Sequence, residues 1–130
     1  VLPSRHRLRA SEDFTATLRS RRGLRSGSAT VVIHTTMTGT RAGCPPRVGF
    51  VVSKGVGNAV TRNLVKRRLR ALLAQRISVL PAGGDFVVRA NPAAAQASYA
   101  QLGADVDRVL NKLLPRLAAV DASGDSGQVS

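Results

Sequence analysis

Residues 14–84 contain no Asp or Glu, and into that interval fall Arg19, Arg21, Arg22, Arg25, Arg41, Arg47, Lys54, Arg62, Lys66, Arg67, Arg68, Arg70 and Arg76. No element built there can answer its cations with acids close in sequence. Each must turn an apolar side inward and leave its charge outside. The density peaks in GNAVTRNLVKRRLR, residues 57–70, a segment whose hydrophobic spacing is helical.

The imbalance holds for the whole chain. Twenty Lys and Arg against seven Asp and Glu leave a net charge of +13 on 130 residues. Self-repulsion of that size works against a compact state unless an anionic partner relieves it, so a polyanion is the expected partner class. The length fits one domain with one core, with a basic arm at 1–10, a core at 11–117 and a disordered tail at 118–130. Cys44 is the only cysteine, which excludes an internal disulfide and, with no Cys/His cluster around it, argues against a zinc site. No apolar run approaches the roughly 20 residues that span a bilayer, and the basic N-terminus lacks an apolar signal segment. A cytoplasmic protein is expected.

Local signals place the elements. Ser11 caps a short first helix over about residues 12–20, with Glu12 and Asp13 at its positive end and Phe14 and Leu18 one turn apart. Gly23 and Ser26-Gly27-Ser28 end it. ATVVIHTT (29–36), RVGFVVS (47–53) and DFVVRA (85–90) read as strands. On regular strands Val32 and His34 share one face, and Val31 and Ile33 the other. Asn58 caps the basic helix, which runs from residue 59 to the high seventies. Ser98 and Gln101 form a capping box that opens the last helix, whose apolar period runs from Tyr99 to Leu114 and which Pro115 bends or ends.

At about 100° per residue, with Arg62 as origin, Lys66, Arg70, Asn63 and Arg67 fall between about 40° and 140° and make one flank. Val65, Leu69, Leu72 and Leu73 fall beside it as a core-facing seam, while Arg68 points elsewhere. Cations stacked at these spacings repel by a few tenths of a kcal/mol per pair. A solvated charged face is the ordinary explanation of such a run, but the coherent stripe, the embedded Asn63 and the missing acids favour an anionic ligand.

At this helix the chain resembles the protein component of bacterial ribonuclease P. Arg62-Asn63, Lys66-Arg67 and Arg70 match that family's signature at every position, and RVGFVVSKGVGNAV, RHRLRASEDF, DFVVRANP and SYAQLGADVDRVLNKL are similar to its other segments. The resemblance covers about residues 3–117. It implies an α+β fold of order αβββαβα, with a central, mainly antiparallel sheet and a left-handed βαβ crossover, ribosomal protein S5 domain 2-like. It also implies a function: an accessory protein, one per RNA, to a catalytic RNA that removes the 5′ leader of precursor tRNA with RNA-held Mg²⁺. On the matching positions, Arg62, Asn63, Lys66, Arg67, Arg70 and Lys54 are expected to bind RNA. Phe14, Leu18, Val32 and His34 are expected to form a cleft for the single-stranded leader, and Arg5, Arg7 and Arg9 a basic arm. Leu18 and His34 stand where family members often carry aromatics, which reduces stacking on leader bases; Asn91 stands near a position that is often basic.

No catalytic residue is expected. His34 has no nucleophile or carboxylate near it in sequence, Asp105 and Asp107 read as solvated, and there is no Walker loop or carboxylate cluster. The competing reading is a general RNA-binding structural protein, such as a small ribosomal protein or RNA chaperone. A DNA recognition helix is disfavoured because a strand, not a first helix, leads into the basic helix.

Overall fold

The computed structural model describes residues 6–8, 23–37 and 43–127, with side chains described as far as Leu117. The expected first helix with Phe14 and Leu18, and the arm residues Arg5 and Arg9, lie outside the described residues.

Four strands form one sheet: β1 (Leu24–Gly27), β2 (Val31–Met37), β3 (Arg47–Val51) and β4 (Gly84–Ala90), in spatial order β1-β2-β4-β3. β2 runs antiparallel to β1 and to β4, whereas β3 is parallel to β4. A parallel neighbour cannot be reached by a tight turn, and helix α1 (Ala59–Arg76) makes the crossover between β3 and β4. Helix α2 (Tyr99–Gly127) follows β4. The expected α+β class and mainly antiparallel sheet are therefore what is observed.

Period-two alternation divides the sheet into two faces. Val31, Ile33, Val48, Phe50, Phe86, Val88 and Ala90 face the core, where Val65, Leu69, Leu72 and Leu73 of α1 and Leu102, Val106, Val109, Leu110, Leu113 and Leu117 of α2 meet them. Both helices thus cover one face. Gly103 of α2 is buried against α1, where an added Cβ would lie 3.1 Å from Leu72 Cδ2. The opposite face carries Val32, His34, Thr36, Asp85, Val87 and Arg89, in register with Arg25 and Gly27 of β1 and with Arg47, Gly49 and Val51 of β3.

Three expectations need correction. β1 is a strand, although Ser26-Gly27-Ser28 reads as punctuation. It is a short edge strand paired on one side, and Ser28 closes its turn by accepting at Oγ from the Val31 amide at 3.2 Å and donating from its own amide to Val31 O at 2.8 Å. Of the bend or end expected of the last helix at Pro115, the end does not occur. Its backbone stays helical to Gly127. Proline removes one i→i−4 hydrogen bond, and the Ala-rich stretch after Leu117 favours the helix.

The third correction concerns the acids. Asp107 is not merely solvated: it accepts from Arg76 Nε at 2.5 Å and Nη2 at 3.0 Å, which holds its carboxyl below the usual range and raises Arg76. Asp105 accepts from Thr30 Oγ1 and lies 3.6 Å from Arg108 Nη1. Arg76 and Thr30 come from elements far away in sequence, and no local pattern announces them; Arg108 lies one helical turn on.

Candidate nucleic-acid interface

The basic helix starts where the chain makes a turn that favours glycine. Gly57 sits at φ 155°, and a Cβ there would fall 3.0 Å from Thr61 Cγ2. Asn58 follows in extended conformation and accepts from the Thr61 amide at 2.9 Å, the expected cap. The cap satisfies one of the amides that a helix start leaves open.

From this start, rotation along α1 sorts its residues as the hydrophobic spacing predicts. Val65, Leu69, Leu72 and Leu73 are buried, Arg62 and Lys66 are half-buried beside that seam, and Asn63, Arg67 and Arg70 are exposed. Lys54, in the turn before the helix, is exposed as well. These six side chains make no hydrogen bond or ion pair among the described residues, and Arg62 Nε is buried with no acceptor there. A buried donor of that kind calls for a partner.

Several other cations of the helical layer are committed, although the exposed Lys112 of α2 has no partner among the described residues. Arg68 donates to Ala97 O at 3.2 Å, Arg76 holds Asp107 and Leu72 O, and Arg116 donates to Arg25 O at 3.4 Å. On the sheet, Arg47 grips the buried Asp85 through Nε at 2.9 Å and Nη2 at 2.8 Å. The acids whose side chains are described, Asp85, Asp105 and Asp107, are all engaged in this way. None of these is left to neutralise the α1 flank, whose positive charge meets no compensating acid among the described residues.

Val32 and His34 lie elsewhere, on the sheet face turned away from the core. His34 is 9% exposed; it faces Arg25 across β1 and Val87 across β4, with Arg89 opposite Val32 on the diagonal. Burial first, then the charges of Arg89 and Arg25, push its imidazole below its usual value. The shift favours the neutral ring, most of which is buried. Arg7 of the arm is exposed and bridges Val48 beside β3, where Leu8 donates from its amide to Val48 O at 2.9 Å. Asn91 holds structure instead: its Nδ2 donates to Ser28 O at 3.1 Å.

Arg25 and Arg89 are exposed on this face, and their sequence context does not single them out. Arg25 sits in β1, whose sequence reads as a helix end. Arg89 is a charge interrupting an otherwise apolar strand at the alternation of Val87. Among the described residues no three His, Cys, Asp or Glu side chains gather as a metal site would require, and no helix is long and apolar enough to cross a membrane.

Comparison with known proteins identifies the family of the chain. The Ribonuclease P family model matches residues 2–114. The chain is 50% identical over 114 residues to the ribonuclease P protein component of Acidothermus cellulolyticus, covering 87% of this chain and 92% of that one. It is 48% identical over 120 residues to that of Streptomyces bikiniensis, covering 88% and 96%. Among solved structures, the RNase P protein of Staphylococcus aureus superposes with a TM-score of 0.73 at 26% identity, over 83% of this chain and 94% of that one. The protein from Thermotoga maritima gives 0.67 at 26% identity, over 86% and 97%.

Proposed function

Because the chain belongs to the ribonuclease P protein family, the protein component of an endoribonuclease holoenzyme, we propose that its α1 flank binds the catalytic RNA of that enzyme. In this reading Arg62, Asn63, Lys66, Arg67 and Arg70, with Lys54, contact RNA phosphates and nearby substrate. The face bearing Val32 and His34, with Phe14 and Leu18, receives the single-stranded 5′ leader of precursor tRNA. Arg5, Arg7 and Arg9 add a basic arm. One protein serves one RNA in the cytoplasm.

The observation that carries this reading is the division of the cations. Arg47, Arg68 and Arg76 are consumed by contacts within the protein, whereas the signature residues make no such contact among the described residues and share one flank. Phosphates brought against that flank would replace like-charge repulsion by charge-assisted hydrogen bonds. Mg²⁺ belongs to the RNA and the substrate in this scheme, and the protein makes and breaks no bond. It lowers the repulsion between two polyanions and holds the leader in place.

Reconstitution tests it. Added to the catalytic RNA, the protein should raise precursor tRNA cleavage at low Mg²⁺; no gain would overturn the assignment. Recovery of ribosomal RNA as the dominant bound species from extract would instead support a general RNA-binding role.

A further inference from the structure

Resting on that reading, we infer that Arg108, Lys112 and Arg116 form a second RNA-binding surface, on α2, which takes the phosphate backbone of a double-helical segment of the catalytic RNA. The three recur at every fourth residue and all are exposed. At about 100° and 1.5 Å per residue, successive members are offset by about 40° and about 6 Å, which makes one stripe about 12 Å long.

Contacts on either side of α2 place the stripe. On one side Gly103 packs against Leu72 and Asp107 holds Arg76, so that side belongs to α1. On the other, Asp105 accepts from Thr30 Oγ1 and Arg116 Nη1 donates to Arg25 O at 3.4 Å, so the stripe follows the border with β1, an edge strand of the sheet. Helix α1 turns Leu72 and Arg76 toward α2, which leaves its signature flank on the side away from α2. The two basic surfaces therefore occupy opposite edges of the helical layer. With about 8–10 Å between packed helix axes and about 5–6 Å from each axis to its outer side chains, they lie about 20 Å apart. Surfaces so placed engage two separate segments of RNA.

The positive charge of the stripe is barely offset. Lys112 has no partner among the described residues. Arg116 gives one N–H to a carbonyl. Arg108 reaches Asp105 through one nitrogen at 3.6 Å and keeps 63% of its side chain exposed, while Asp105 is already engaged by Thr30. Like charges four residues apart repel, and stability alone would favour acids between them. Residues 104–116 contain no aromatic side chain, so unstacked bases find no platform here. An A-form helix, by contrast, presents phosphates and 2′-hydroxyls on its outside. The catalytic RNA is the occupant because α1 already holds it, which makes the second contact intramolecular and raises its effective concentration.

The test measures binding of the full-length protein to the catalytic RNA without precursor, by salt titration and by hydroxyl-radical footprinting. Each phosphate contact to a duplex adds about 0.9 to the salt slope, which is about eightfold in affinity at 0.1 M salt. Lys112→Gln should lower the slope by about 0.9 and the affinity by about eightfold, and Lys112→Arg should restore both. Two RNA segments should be protected, one weakened by Lys112→Gln and the other by Arg67→Ala. An unchanged slope in Lys112→Gln, or loss of the same protections in both variants, would overturn the inference. So would a loss that appears only after precursor is added, which would put the contact on the substrate. Lys112→Glu should lose more than Lys112→Gln; equal losses would mean that packing rather than charge is at work and would also overturn it. Failure of the unsubstituted protein to bind the catalytic RNA would overturn the functional reading instead.

Discussion

A guanidinium is structural or available according to whether a carboxylate or carbonyl reaches it, and the two kinds predict opposite mutant behaviour. Arg47→Ala leaves the Asp85 carboxylate, 7% exposed, without its bidentate partner. The expected cost is about 1–3 kcal/mol, read as a lowered denaturant midpoint. Arg67→Ala removes an exposed side chain with no partner among the described residues, so stability should stay within about 0.5 kcal/mol, while the salt slope of RNA binding falls by about 0.7–0.9. A large loss of stability in Arg67→Ala would mean that the residue works inside the fold. His34 gives a pH signature. Its folded value is lowered, so the unfolded chain binds the extra proton first. Stability is complete above the ordinary imidazole value of about 6.5 and is lost as pH falls from there through the folded value. Thermal midpoints of the unsubstituted protein should drop more between pH 7.5 and pH 5 than those of His34→Gln. Equal drops would show that other groups set the acid limit.

At the scale of elements, the start of α1 links conformation to the interface. Gly57 holds a positive φ and clears Thr61, whose amide donates to Asn58. Gly57→Ala strains the backbone and pushes on the residue that completes the cap. The expected loss exceeds about 1 kcal/mol, against about 1 kcal/mol for Asn58→Ala, and RNA affinity should fall with it because Lys54 and Arg62 lie on either side of this turn. Guanidinium titration and binding on the same variants would check both, and a neutral Gly57→Ala would show that the turn is not constrained. The elements also show where reading along the chain succeeds. The α1 seam and the Ser98–Gln101 box, reciprocal at 2.8 and 3.1 Å, are legible because their partners lie three or four residues apart. β1 is not legible: LRSG has no apolar alternation, and its pairing with β2 makes it a strand.

For the whole molecule the governing quantity is a charge of +13 on a fold whose described acids are already committed. A polyanion should stabilise it beyond what ionic strength explains. At constant ionic strength, a short single-stranded RNA at about 100 times its dissociation constant should add about 2.7 kcal/mol to the unfolding free energy, seen as a higher thermal midpoint. A midpoint that follows ionic strength alone would mean screening without binding.

What the sequence by itself determined is whatever depends on neighbours within a turn of helix or along one strand. That comprises the core seam of α1, the caps of both helices, the split of β2 into a Val31/Ile33 face and a Val32/His34 face, and the flank that bears the family signature. Tertiary structure decided which charges remain free. Arg76 meets Asp107 and Arg47 meets Asp85 only after the helices and strands have packed, and Arg25 and Arg89 come to flank His34 only through strand register. The physical reason is range: periodicity and capping act over a few residues, whereas an ion pair needs two groups within a few ångströms in space, however far apart they lie along the chain.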